Sequence, residues 1–297
     1  MGHVLHELLE LLRLEKLEET LFRGQSQDLG WGAVFGGQVL GQALSAMTQT
    51  VPERRRVHSL HGYFLRQGDA RLPIIYDVDC IRDGKSFTTR RVVAIQKGRA
   101  IFNMAASFQI EETGLEHTVA AMPEVPGPEG LVSELERVRA RAALIPARAR
   151  EKFTAEKPLE IRIVDPRDPI NPETRPPVRR AWFRAIDALP DDLRVHQYLL
   201  AYASDFSFLT TALNPHRVGT FDPRLQLASL DHAMWLHRPF RLDEWLLYAV
   251  ESPTATGARG LVRGQWFTRD GQLVASTTQE GLMRWHGDPL PETPASS

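Results

Sequence analysis

The sequence predicts an α+β fold built from two copies of one unit, each a long helix wrapped by an antiparallel sheet, and three observations carry that expectation. The first is a phrase written twice. "HSLHGYFLR" begins at His58 and "ASLDHAMWLHRP" at Ala228, so Ser59 and Ser229 stand 170 residues apart. Fifty residues beyond each serine lies a glutamine, Gln109 in "AASFQ" and Gln279 in "ASTTQ". A repeat at fixed spacing marks a duplicated structural unit. The second observation is that each phrase opens a train of apolar runs punctuated by turn residues, as in an antiparallel meander. The third is one helix-period segment ahead of each train. The first of these is apolar over most of its girth and must be surrounded by its sheet.

In chain order, Leu5, Leu8, Leu9, Leu12 and Leu14 recur among Glu and Arg, which predicts an amphipathic helix packed on its own unit. "GWGAVFGGQVLGQALSAMTQTV" sets Leu40, Leu44, Met47 and Val51 on one face, and Gly36, Gly37 and Gly41 permit close approach by neighbouring strands. The strands "RLPIIYDVDC", "SFTTRRVVAIQ" and "RAIFNMAASFQI" follow, separated by turns at Arg82–Gly84 and Lys97-Gly98. Alternation places Tyr76, Val78 and Cys80 on one apolar face, so Cys80 reads as core. Between the halves come Pro/Gly punctuation, a short charged helix in "LVSELERVRARAAL" and the Pro-rich "VDPRDPINPETRPP". "PLEIRIV" and "VRRAWFRAI" read as edge strands of the second unit. Asp191 can cap a helix in "DLRVHQYLLAYASDFSFLTTAL", whose Tyr198, Leu199, Tyr202 and Phe206 form a buried face. The second meander is "EWLLYAVES", a loop at "PTATG", "ARGLVRGQWFT", a turn at Asp270-Gly271 and "QLVASTTQEGLMRW". The expected boundaries are units at 1–112 and 156–287, a linker at 113–155 and a flexible tail at 288–297.

Composition narrows the function. A net charge of −1 argues against nucleic acid, whose phosphates demand a basic surplus. The single cysteine excludes an internal disulfide framework and suits a reducing, cytoplasmic compartment. No run reaches the roughly 18–20 apolar residues of a membrane span. The N-terminal stretch lacks a signal peptide's apolar block and cleavage site, and "PASS" is not a peroxisomal address.

"VFGGQVLGQAL", "HSLHGYFLRQGD", "YDVDCIRDGKSFTTRRVVAIQ" and "AASFQ", with "SDFSFL", "SLDHAMWLHRPFRLDEWLLY" and "ARGLVRGQWFTRDGQLVASTTQEGLMR", resemble the type II acyl-CoA thioesterases, the double hotdog enzymes. The resemblance covers about residues 8–286. It implies hydrolysis of acyl-CoA to free fatty acid and CoA, no metal or redox cofactor, and assembly into a homo-oligomer, a dimer or tetramer. It also implies a catalytic Asp, Ser or Thr, and Gln around one water, which fall here on Asp205, Ser229 and Gln279. Close relatives often carry Thr where this chain has Ser229; either hydroxyl both donates and accepts.

Read from the residues alone, these positions leave alternatives open. Asp205 shares an apolar helical face with Tyr198, Tyr202 and Phe208, where a carboxylate is costly unless paired, hydrogen-bonded or used. A helix-terminal Asp bonded to nearby backbone explains it equally. Ser229 and Gln279 cannot be called catalytic from spacing. Half one repeats the pair as Ser59 and Gln109, expected to superpose on Ser229 and Gln279, but its helix offers no acid, so one centre per chain is expected. Arg66, Arg90, Arg91, Arg238, Arg259 and Arg263 are candidates for the CoA phosphates, two or three of them in use. A hydratase built on a His–Asp pair is a rival reading. However, Asp231 and His232 are neighbours on a strand and point to opposite faces. His58 as an alternative base and a non-catalytic acyl-CoA-binding module complete the alternatives.

Overall fold

The computed structural model describes residues 2–30 and 32–287; the tail expected at 288–297 lies outside them. The first half comprises α1 (His3–Leu12), β1 (Glu15–Lys16), β2 (Leu21–Gly24), α2 (Gly36–Thr48), β3 (Arg55–Phe64), β4 (Ile74–Asp83), β5 (Phe87–Gln96) and β6 (Arg99–Ile110). The connecting segment carries α3 (Glu134–Ala140) and α4 (Ala147–Thr154). The second half comprises β7 (Leu159–Ile163), β8 (Val178–Ala185), α5 (Leu193–Ser204), β9 (Leu225–Ser229), β10 (Asp231–Leu236), β11 (Leu246–Thr256), β12 (Arg259–Thr268) and β13 (Leu273–Trp285).

All strands join one antiparallel sheet in the order β1-β2-β4-β5-β6-β3-β10-β13-β12-β11-β8-β7, with β9 beside β13. Read inward from either end the order is the same, and the halves meet where β3 pairs with β10. The duplication expected from the sequence is therefore present in the topology.

Its register differs from the written repeat. Tyr76 pairs with Ala94 and Tyr248 with Trp266, while the ion pair Asp79–Arg91 (2.8 Å) recurs as Glu251–Arg263 (2.6 Å), giving an offset of 172. Arg90 pairs with Ala106 and Val262 with Gln279, so β6 maps on β13 with an offset of 173. Val57 faces Phe108 as Ser229 faces Gly281. The counterparts of Ser229 and Gln279 are thus Val57 and Ala106, not Ser59 and Gln109. The serine is slipped by two residues, which a side-chain period of two does not register, and the glutamine by three, because the turn at 269–271 is one residue longer than that at Lys97-Gly98.

The helices fill the curl. Every residue of α2 from Gly37 to Thr48 is buried. A Cβ on Gly37 would lie 2.3 Å from the Tyr202 carbonyl oxygen, and one on Gly41 3.0 Å from that of Tyr198. These glycines therefore admit the backbone of α5, not a strand, and set α2 antiparallel against it. The buried Leu5, Leu8 and Leu12 dock α1 on this core.

Other expectations are adjusted in detail. The N-cap of α5 is Asp192, which accepts from the Arg194 N–H, while Asp191 pairs with Arg241. "PTATG" continues β11 through a bulge instead of looping. The Pro-rich stretch lies between β7 and β8, inside the second half. Cys80 is exposed, because β4 bulges between Asp79 and Arg82 and loses its alternation. The linker straps the outer face of the second half: Ala120, Met122, Val125 and Leu131 pack on Trp182, Leu247 and Phe267, and the Trp182 indole N–H donates to the Pro126 carbonyl at 2.9 Å.

Candidate functional site

Helix α5 ends at Ser204, and its C-cap is Asp205. The Asp205 carboxyl turns into the interior, where Oδ1 accepts from Gln279 Nε2 at 3.1 Å and the group also accepts from the backbone N–H of Gly37. The residue as a whole keeps some exposure, but its carboxyl is enclosed, and loss of water pushes its pKa from 3.8 up to about 6 against the lowering pull of those two bonds. Gly36 is required here, since a Cβ would lie 2.6 Å from Asp205 Oδ2. The N-terminus of α2, which has no side-chain cap, thus presents its positive end to the carboxyl. The site spans both halves: acid and amide come from the second, the helix end from the first. Sequence reasoning placed it in the second half alone and missed Gly36 and Gly37; the signal was a Gly-Gly helix start without a Ser, Thr, Asp or Asn cap.

Gln279 is 0% exposed, on β13. A carboxylate only accepts, so the atom facing Asp205 must be the amide nitrogen. That leaves Oε1 buried and without a hydrogen-bond partner among the described residues. Ser229 ends β9 opposite Gly281, two residues beyond Gln279, so it sits diagonally from Gln279 on the same face, where side chains lie about 7–8 Å apart at the backbone. Its hydroxyl bonds to neither partner directly. Structure therefore joins Asp205 to Gln279 and sets Ser229 beside them across a gap.

The corresponding place in the first half holds no such set. Val57 and Ala106 are each 3% exposed, and where the second half has Val262 the first has Arg90. Arg90 is 2% exposed and engages all five N–H donors: Thr50 Oγ1, the carbonyls of Thr50, Arg82 and Thr89, and Asp83. It fills the space beside the end of α2, which leaves it nothing for a phosphate. The other arginines lie at the surface with protein partners: Arg66 on the Ala100 carbonyl, Arg91 on Asp79, Arg238 near Glu116 and Thr118, Arg259 on Glu280 and Arg263 on Glu251.

The histidines do not form the rival dyad. His232 faces the core, bonds Ser204 Oγ at 3.0 Å, and burial pushes its pKa down to about 3. Asp231 faces outward to His61 Nε2 at 3.1 Å. His58 bonds Ser107 Oγ at 2.8 Å. Among the described residues no group of His, Cys, Asp and Glu is arranged to hold a metal, and no helix is long and apolar enough to cross a membrane.

A family model described as acyl-CoA thioesterase matches residues 148–282, and one described as acyl-CoA thioesterase N-terminal domain matches residues 26–109. Acyl-CoA thioesterase 2 of Haemophilus influenzae is 46% identical over 285 residues, covering 96% of this chain and 99% of that protein. Human acyl-coenzyme A thioesterase 8 is 40% identical over 282 residues, covering 92% and 88%. The crystal structure of an acyl-CoA thioesterase II from Mycobacterium marinum is similar at a TM-score of 0.76 and 43% identity, covering 94% and 98%. A hot-dog-fold protein from Alicyclobacillus acidocaldarius matches at a TM-score of 0.76 with 19% identity, which bears on the fold alone.

Proposed function

The chain belongs to the acyl-CoA thioesterase family, is a double hotdog that hydrolyses acyl-CoA thioesters, and on that premise we propose that Asp205, Gln279 and Ser229 activate the attacking water. The observation that carries this reading is the enclosed Asp205 carboxyl bonded to Gln279, whose Oε1 remains unpartnered. A water seated there donates one proton to Asp205 and one to Gln279 Oε1 and accepts from the Ser229 hydroxyl. Its remaining lone pair is left for the thioester carbon. As the C–O bond forms, the proton passes to Asp205. The oxyanion is met by an amide N–H or by first-turn N–H groups of α2. Collapse breaks the C–S bond, and the proton on Asp205 goes to the CoA sulfur. A thioester is already activated, so no covalent enzyme intermediate is required.

Fatty acyl-CoAs are the substrates in this reading, with CoA phosphates reaching surface arginines among Arg66, Arg91, Arg238, Arg259 and Arg263. The test is a panel of short-, medium- and long-chain saturated acyl-CoAs followed by thiol release; no hydrolysis across the panel refutes it. Homo-oligomerisation is part of the proposal, supported by Tyr63 (50% exposed) and Trp235 (44% exposed), equivalent positions of the two halves on the strands of the seam. So is a cytoplasmic location, which suits the exposed thiol of Cys80. Light scattering and cell fractionation test these two.

A further inference from the structure

Asp205 and Gln279 approach each other from different elements, the end of α5 and the middle of β13, and something must fix that separation. Tyr248 on β11 bridges the two elements. Its hydroxyl bonds the Ser204 carbonyl at 3.2 Å and Thr277 Oγ1 at 2.8 Å. A carbonyl only accepts, so Tyr248 donates to Ser204, and Thr277 gives its proton to the phenol oxygen at 2.8 Å in preference to the more distant Gly264 carbonyl at 3.4 Å. Ser204 precedes Asp205, and Thr277 lies two residues before Gln279 on the same inward face of β13. The contacts close a ring: Asp205 to Gln279, along β13 to Thr277, to Tyr248, to Ser204 and back.

The ring is built for stiffness. The Tyr248 ring stacks on Trp266 at 4.0 Å and packs near Phe208 at 5.5 Å. Gly264 makes room for it, since a Cβ there would lie 2.3 Å from the Tyr248 ring and 2.7 Å from Thr277 Oγ1. Ser204 is held again through its side chain, which donates to the Ala201 carbonyl at 2.9 Å and accepts from His232 Nε2 at 3.0 Å.

The other half supplies an internal control. Tyr76, the counterpart of Tyr248, is just as buried, but its hydroxyl bonds Gln42 Oε1 at 2.7 Å. Its neighbours are Val92 and Met104 where the second half has Gly264 and Thr277. The tyrosine recurs in both halves; the hydroxyl-to-strand link is made only where the carboxylate is.

We propose that Tyr248 is a positioning residue for thioester hydrolysis, tying Ser204 to Thr277 so that Asp205 stays seated against Gln279. The inference rests on the roles given to Asp205 and Gln279 above. The test is Tyr248→Phe, which keeps the ring packing and removes only the hydroxyl, measured beside Asp205→Asn. Tyr248→Phe lowers kcat about ten-fold with KM little changed, the pattern of an interaction that serves the transition state. The bond from Gln279 pulls the Asp205 pKa down, so loosening it moves the acid limb of the kcat profile upward. Of the ionisable groups near this region, Tyr248 from β11 and His232 from β10 stay neutral across that range, and the buried Arg179 from β8 acts on Tyr248 and not on Asp205. Thr277→Val gives the same change and covers the case in which Tyr248→Phe does not fold, whereas Thr277→Ser retains the hydroxyl and restores kcat. Tyr76→Phe leaves kcat and the pH profile unchanged. A folded Tyr248→Phe with wild-type kcat and profile, beside an inactive Asp205→Asn, overturns this inference alone; an equal loss in Tyr76→Phe also overturns it. An active Asp205→Asn overturns the assignment beneath it.

Discussion

Replacing Asp205 by Asn should weaken the enzyme and strengthen the fold at once. Asn keeps the shape of the side chain but cannot take a proton from water, and loss of a general base costs about 10²–10⁴ in turnover. The stability effect follows from burial. A pKa raised from 3.8 to about 6 means the native state carries a cost of about 3 kcal/mol when the group is ionised. Below the unfolded value both states hold the proton and there is no cost. Between the two values the cost grows with pH, and above the folded value it is complete. Asn never carries that charge, though its amide nitrogen meets one of the donors that Asp205 accepts from, which offsets part of the gain. Asp205→Asn is therefore expected to be more stable than wild type by about 1–2 kcal/mol at about pH 8, with the difference shrinking toward pH 4. The same ionisation sets wild-type turnover, which at about pH 5 should be about ten-fold below its value at about pH 8. The assay is kcat on one medium-chain acyl-CoA across pH, with urea unfolding of both proteins at each pH. Turnover near wild type in folded Asp205→Asn, or a stability difference that does not vary with pH, would refute the reasoning.

Ser229→Ala and Gln279→Ala should each lower kcat by no more than Asp205→Asn and add little when combined with it, because the three act on one water. Ser59→Ala and Gln109→Ala should leave kcat within a few-fold, and multiplicative losses in the combined variants would show separate roles. Turnover should survive EDTA and the Cys80→Ser change, whose thiol is exposed; activity lost to chelator and restored by a divalent ion would contradict the cofactor-free mechanism.

The sequence by itself determined what depends on neighbours along the chain. Alternating and helical periods located α2, α5 and the meander strands, and two similar trains of elements disclosed the duplication. An acid following the apolar face of α5, with no equivalent after α2, pointed to a single centre. Family resemblance then singled out Ser229 and Gln279, which no periodicity distinguishes. Tertiary structure alone decided register and partnership. The matching letters at Ser59 and Ser229 suggested a superposition that strand pairing denies, because a slip of two residues preserves alternation. Arg90 looked like a phosphate ligand, since a chain of letters does not show that its side chain is buried with five acceptors already around it. That Gly36 and Gly37 of one half complete the carboxylate site of the other follows from the antiparallel docking of α2 on α5. Such docking is fixed by close packing of surfaces far apart in sequence, and only the folded chain brings those surfaces together.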